Sequence, residues 1–269
     1  MILDIKEQKM KKIFVSFLFF LSFGQNVFAG DSLCEKIITT SNEFLGKPYS
    51  LGPLGEGRGI DTDPLYRFDK FDCLTFVETV LAKTFSSENN FPEIMNDIRY
   101  KDGYVSFETR NHFQNPDWVN NNAKYVKNIS NEISKFILNK DAKQSVINLD
   151  KKSWFKKNYD IDVDVKPQTV TLDYITLSDF KNNIEKFTSF VNKPYIFMTV
   201  ISDKTLPQKV GTEIDVSHTG FLIKKNGVLY LRHASSIAGK VVDNNFEKYI
   251  ERMQKNPKYM GFSLIETCN

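Results

Sequence analysis

Residues 216–235 read VSHTGFLI-KKNG-VLYLRHAS. Two runs rich in β-branched and aromatic residues flank Lys224-Lys225-Asn226-Gly227, and Asn-Gly between such runs is the strongest short-range sign of a β-hairpin. Two registers are open. If Asn226-Gly227 alone is the loop, Lys225 pairs with Val228 and His218 with Ser235, leaving His233 as diagonal neighbour. If all four residues are loop, Ile223 pairs with Val228 and His218 faces His233 directly. Strand side chains alternate with period 2, so both registers put His218 and His233 on one face, close enough to interact.

Outward from the hairpin, Tyr195 to Val200 (YIFMTV) reads as a buried strand. The N-terminal half has helical period instead. Ile37, Ile38, Phe44 and Leu45 form a stripe in an opening helix over 32–45, and a Gly/Pro-rich loop, GKPYSLGPLGEGRGIDTDP, follows at 46–64. Cys73, Phe76, Val77, Val80 and Leu81 then recur at helical spacing behind Asp72, a good N-cap. Another amphipathic helix is expected at 125–138, and the Lys/Asn-rich stretch 139–159 reads as surface structure. Helices first and strands later predict an α+β fold, with an antiparallel sheet against the Cys73 helix. No repeat or linker divides the chain. The expected organisation is a single domain over 30–269 with a largely helical insertion around 86–165.

Residues 1–29 stand apart. Lys11 and Lys12 precede the apolar run Ile13–Phe23, and Val27-Phe28-Ala29 closes it, the pattern of a signal peptide cleaved after Ala29. The run is too short to span a membrane, and Leu33 before Cys34 does not suit lipoprotein processing. An exported protein without a membrane anchor, periplasmic or secreted, is expected. Removing the segment takes the formal charge from +3 close to neutrality, which leaves no footprint for nucleic acid. Export favours disulfides, and Cys34 and Cys268 lie near the mature termini, which often meet in a folded domain. A Cys34–Cys268 bridge is the expected pairing. Cys73 is then the leftover, reactive thiol.

A cysteine at a helix N-terminus faces unpaired N–H groups and the positive end of the helix dipole, which favour the thiolate. Its base is sought among three histidines, His112, His218 and His233. The hairpin pairs the latter two, so Cys73 is expected to attack a carbonyl carbon, His218 to move the proton, and His233 to orient His218. A zinc site built on one cysteine and two histidines is the rival chemistry, but no CxxC or HxxxH supplies the usual ligand spacing. The expectation is no metal and no cofactor.

LGKPYSLGPLGEG, FDCLTFVE, SHTGFLI and LRHASS together resemble the NlpC-type cysteine peptidases and amidases of bacterial cell walls, and more closely the N-acetylmuramoyl-L-alanine amidase-like branch. IRYKDGYVSFETRNHFQNPDW is similar to that branch's segment between nucleophile and base. The resemblance covers most of 41–265 and implies a papain-like α+β domain with Cys73 as nucleophile, His218 as base and His233 as third catalytic residue. It implies Tyr49 near the nucleophile, where it would polarise the scissile carbonyl, and Arg110, His112 and Trp118 as weaker candidates for substrate contact. Many NlpC-type endopeptidases read Asp-Cys-Ser-Gly, where Asp and Ser hold the free amine of an N-terminal L-alanine. Here the stretch is Asp72-Cys73-Leu74-Thr75, so Leu74 offers no acceptor and Asp72 offers one only if its carboxylate is free.

The expected function is hydrolysis of the N-acetylmuramoyl–L-alanine bond in peptidoglycan or in released muropeptides, including 1,6-anhydro forms, by a monomeric cysteine amidase. Two alternatives stay open: a D-glutamyl–diamino-acid endopeptidase of the same superfamily, and a non-catalytic wall-binding module.

Overall fold

A computed structural model describes residues 29–267. The expected signal segment, except for its last residue, and Cys268 lie outside the described residues. The helices are α1 (Ala29–Glu43), α2 (Cys73–Phe85), α3 (Phe91–Arg99), α4 (Ser130–Leu138), α5 (Lys151–Tyr159), α6 (Leu177–Asn182), α7 (Ile184–Phe190), α8 (Leu206–Val210) and α9 (Phe246–Gln254). The strands are β1 (Lys127–Asn128), β2 (Lys143–Leu149), β3 (Gln168–Thr176), β4 (Tyr195–Ile201), β5 (Val216–Lys225), β6 (Val228–Ser235), β7 (Lys240–Asn245) and β8 (Tyr259–Glu266). They form one sheet in the order β2-β3-β8-β4-β5-β6-β7, with β1 beside β8, and every pairing is antiparallel. The fold is α+β.

Both faces of the sheet are covered, which is why central β4 is buried at every residue and reads as an unbroken apolar run. One face (Ile196 and Met198 of β4, Phe221 and Ile223 of β5, Ala234 of β6) packs on Ile37 of α1, on Phe76 and Val80 of α2 and on Met95 of α3. The other (Phe197, Leu222, Leu231, Phe262) packs on α6, α7 and α9 through Phe180, Phe187, Phe246 and Ile250. Along β4, β5 and β6 the buried apolar side chains alternate between the two cores, and His218 and His233 share the parity of Leu222 and Leu231 on the α9 face.

β5 and β6 join at Asn226 (φ 49°) and Gly227 (φ 78°), both in the left-handed region that a two-residue type I′ turn requires. Lys225 pairs with Val228 and Phe221 with Arg232, so the two-residue register is the one adopted. Gly220 falls opposite His233. A Cβ on Gly220 would lie 2.7 Å from both the His233 Cβ and the Arg232 carbonyl oxygen, so the glycine of His-x-Gly is what lets the His233 side chain occupy its place.

The segment 86–165 is less helical than expected. Beyond α3, α4 and α5 it supplies β2, which pairs with β3 along its whole length. The Lys/Asn-rich stretch is not all surface either, since Leu149 and Phe155 are buried. The lysines mark only its outer sides. Cys34, buried in α1, is disulfide-bonded, and Cys73 is the free cysteine of the described residues.

Candidate active site

Asp72 precedes α2 in extended backbone and closes a capping box. Its Oδ1 accepts the Thr75 N–H at 2.8 Å, while Thr75 Oγ1 accepts the Asp72 N–H at 3.0 Å. This fixes Cys73 as the first helical residue. The other carboxylate oxygen of Asp72 accepts the Gly52 N–H at 3.1 Å, tying the 46–64 loop to the helix end. Asp72 is thus a cap with both oxygens engaged.

The N–H groups of Cys73 and Leu74, and that of Thr219 from β5, are directed at the Cys73 sulfur and favour its thiolate. Burial opposes them, and the Asp72 carboxylate adds to it. Together they push the thiol up to about 12. The lowered thiol pKa expected from the helix terminus alone is therefore corrected: packing strips water from the sulfur, and the cap that starts the helix brings a negative charge beside it. At neutral pH the resting thiol is protonated.

Thr219 is one residue from His218, so the contact at its N–H brings the Cys73 sulfur to the β5 end that carries the histidine. A β-bulge lies here: Thr199 pairs with His218 and Val200 with Val216, leaving Ser217 extra. His218 Nε2 and His233 Nδ1 are 2.6 Å apart, and His233 Nε2 lies 2.9 Å from Asn244 Oδ1. The direction of this chain follows from its end. Asn244 Oδ1 only accepts, so His233 donates from Nε2 and keeps a lone pair on Nδ1. That lone pair accepts the His218 Nε2–H, which leaves His218 Nδ1 bare and basic. Burial drives the His218 pKa down to about 3, with His233 as a second cause, and burial also lowers that of His233. Both rings are neutral at pH 7, as the chain of donors requires.

Tyr249 of α9 completes the cluster. Its ring centroid lies 6.4 Å from that of His218 and 5.6 Å from that of His233. Its phenol is pushed up to about 12, mainly by burial, and the Cys73 sulfur is among the charges it senses. Tyr49 stands on the 46–64 loop. The loop that holds it is pinned to the turn before β7 by Tyr49 N–H to the Gly239 carbonyl at 2.9 Å, and to the residue before Asp72 by Phe71 N–H to the Pro48 carbonyl at 3.0 Å. Burial first, then the Cys73 and Asp72 charges, raises the Tyr49 phenol pKa. A cavity of about 430 Å³ opens from His218 and His233 along Tyr249 and Asn244 toward Arg252 and Lys258.

Arg110 and His112 are engaged elsewhere. Arg110 grips Glu56 through Nε at 2.8 Å and Nη2 at 2.5 Å, and reaches Asp61 at 2.8 Å. Tyr100 hydroxyl donates to the same Glu56 at 3.0 Å, and Arg99 bonds the Leu54 carbonyl and buried Glu78, both at 2.7 Å. These contacts stitch the 46–64 loop into the shape that presents Tyr49. His112 donates from Nε2 to the Phe107 carbonyl at 2.6 Å among the rings of Phe107, Trp154 and Phe155. Arg110 and His112 do not line the cavity, and neither do Cys73 and Tyr49. Trp118 is fully buried in the core. Among the described residues no three His, Cys, Asp or Glu side chains are grouped to hold a metal ion.

Asn244 and Tyr249 are the site residues that sequence reading missed. Asn244 was within reach of the same argument: with Ser235 paired to Lys240 across the Gly239 turn, parity puts Asn244 on the His233 face. Tyr249 carries no such signal, because its position depends on how α9 docks.

Residues 39–257 match the AmiA-like family, described as N-acetylmuramoyl-L-alanine amidase-like. No curated relative matches the chain. Protein LPG0564 from Legionella pneumophila is 30% identical, with a TM-score of 0.81 over 88% of this chain and 89% of that one. An N-acetylmuramoyl-L-alanine amidase from Bacteroides uniformis has the same fold at 19% identity, with a TM-score of 0.68 over 88% of this chain and 100% of that one. So does a putative xylanase from Bacteroides fragilis, at 21% identity and a TM-score of 0.64 over 85% and 99%. The extent of the family match decides the assignment: the chain belongs to the AmiA-like, N-acetylmuramoyl-L-alanine amidase-like family.

Proposed function

We propose that the protein is an exported cysteine amidase of papain-like, NlpC-type build that hydrolyses the bond between N-acetylmuramic acid and L-alanine in peptidoglycan or its fragments. The observation that carries this reading is the ordered chain Asn244–His233–His218, which leaves one imidazole lone pair bare on His218, the neighbour of Thr219, whose N–H is directed at the Cys73 sulfur. His218 Nδ1 takes the thiol proton as sulfur attacks the lactyl carbonyl, and a C–S bond forms. The Cys73 N–H and the Tyr49 hydroxyl stabilise the developing oxyanion. Collapse breaks the C–N bond, and the proton passes from His218 to the departing alanine nitrogen. Water, deprotonated by the same ring, then hydrolyses the thioester and frees the muramoyl carboxylate. Because thiol and imidazole are both neutral at rest, proton transfer accompanies attack and no ion pair is stored beforehand.

Asp72 favours this bond over the endopeptidase alternative. An endopeptidase acting next to a free peptide N-terminus must hold an ammonium group, whose desolvation needs charged or polar partners. Each oxygen of Asp72 already accepts a main-chain N–H, from Thr75 at the helix cap and from Gly52, and Leu74 adds no acceptor. The muramoyl–alanine nitrogen is acylated and carries no charge. Mass spectrometry of products from a defined disaccharide peptide tests the reading. The expected products are a peptide with a free L-alanine terminus and a bare sugar. A muramoyl-L-Ala-D-Glu product would overturn it in favour of the endopeptidase, and binding without turnover would favour the wall-binding module.

A further inference from the structure

The cavity beyond the histidines has a one-sided charge. Its wall carries Arg252 and Lys258, and no aspartate or glutamate lines it. Neither cation forms an ion pair among the described residues; instead Arg252 lies over the Tyr249 ring at 5.6 Å and Lys258 over the Tyr259 ring at 5.2 Å. Arg252 contributes to holding the His233 pKa down, so its field reaches the catalytic chain. Two cations left without carboxylates at the wall of this cavity can receive an anion.

The chemistry of the step says which part of the substrate enters. A general acid must stand beside the atom it protonates, and here His218 protonates the departing nitrogen. The leaving group therefore lies on the His218 side and the acyl group on the Cys73 and Tyr49 side. On the amidase reading the leaving group is the peptide stem, whose D-glutamate keeps a free α-carboxylate because the chain continues through its γ-carboxyl. We infer that the cavity is the peptide-stem subsite, and that Arg252 and Lys258 select stems bearing a free carboxylate over stems in which that carboxylate is amidated.

This rests on the proposed amidase function, and two experiments keep the failures apart. In the first, wild type, Arg252→Gln, Lys258→Gln and the double variant are assayed on a matched pair of muropeptides, one with D-glutamate and one with D-isoglutamine. Wild type should prefer the carboxylate substrate by about tenfold or more, the scale of one charge-assisted hydrogen bond. The double variant should lose the preference mainly through KM on the carboxylate substrate, with the amidated substrate little changed. An equal preference in wild type and double variant would overturn the inference while leaving the amidase reading intact. In the second, calorimetry measures binding of the free tripeptide L-Ala-γ-D-Glu-diaminopimelate, and of its α-amide, to Cys73→Ala. Tighter binding of the carboxylate form, lost in Arg252→Gln/Lys258→Gln, supports the subsite whatever bond the enzyme cuts. No difference between the two peptides would sink it.

Discussion

His112 and His218 are alike by most local measures. Each is packed among aromatic rings, and burial is the first cause that pushes each pKa down to about 3. They differ in where their hydrogen bonds end. His112 gives its Nε2–H to a main-chain carbonyl inside an aromatic cluster. His218 gives its Nε2–H to His233, which in turn donates to Asn244, and keeps Nδ1 bare on β5, one residue from the Thr219 N–H directed at the Cys73 sulfur. A shifted pKa therefore locates burial. The polarity of the hydrogen-bond chain singles out the ring proposed as base.

The comparison is most easily broken with paired substitutions. Cys73→Ala should abolish hydrolysis, and His218→Gln should reduce kcat by about 10²–10⁴-fold, the usual worth of a general base. His112→Gln preserves a donor for the Phe107 carbonyl and should leave kcat close to wild type. A His112→Gln loss as deep as that of His218→Gln, in a protein still folded by circular dichroism, would erase the distinction.

Gly220→Ala probes the same site through backbone proximity. The added methyl meets His233 Cβ and the Arg232 carbonyl at 2.7 Å, so ring or strand must shift. A displacement of this kind costs on the order of 10²-fold in rate, and the thermal midpoint should fall as well. An unchanged kcat would mean that His233 does not need its position.

Asn244 sets the direction of the chain and is a positioning residue. Asn244→Asp keeps the acceptor and should retain most activity, whereas Asn244→Leu should lose about tenfold or more as His233 becomes free to take the other tautomer. Nitrogen-15 shifts of the two imidazoles read the tautomers directly. His218 should show a protonated Nε2 in wild type and Asn244→Asp, and a mixture in Asn244→Leu.

The smallest effects concern pH. Alkylation of Cys73 by iodoacetamide should accelerate steadily from pH 7 to 10, since the resting thiol lies far above neutrality. A plateau reached near pH 5 would show a preformed thiolate–imidazolium pair and overturn the neutral resting state. His112 and His218 bind protons in the unfolded chain from about pH 6.5 downward but in the folded protein only near 3. The unfolded state thus holds more protons between these limits, and stability falls as pH drops through that window. His112→Gln should flatten the fall of the thermal midpoint between pH 6.5 and 4.

Much of this arrangement is written in short-range pattern. The Asn226-Gly227 turn and period-2 parity place the two histidines together, and Asp72 ahead of an apolar helical stripe places the thiol at a helix end. What escapes is whatever depends on partners far along the chain. Arg110 and His112 look like ligand-binding groups in a string of letters, because Glu56 and Asp61, which saturate the arginine, lie some fifty residues upstream. The thiol's acidity escapes for a related reason: the helix terminus is local and visible, whereas the packing that raises its pKa is tertiary. Strand β2 was hidden by a Lys/Asn-rich composition that suits its outer side alone.

The central claim is that Cys73 takes the muramoyl lactyl group while the peptide leaves on the His218 side. Rapid acid quench of the enzyme with a disaccharide peptide, followed by intact-protein and peptide-level mass spectrometry, tests it in one measurement. A thioester on Cys73 carrying the sugar and its lactyl group, without alanine, is the predicted adduct. An adduct that also contains L-Ala and D-Glu would contradict the bond assignment, and turnover with no adduct on Cys73, even when His233→Ala slows deacylation, would contradict the nucleophile.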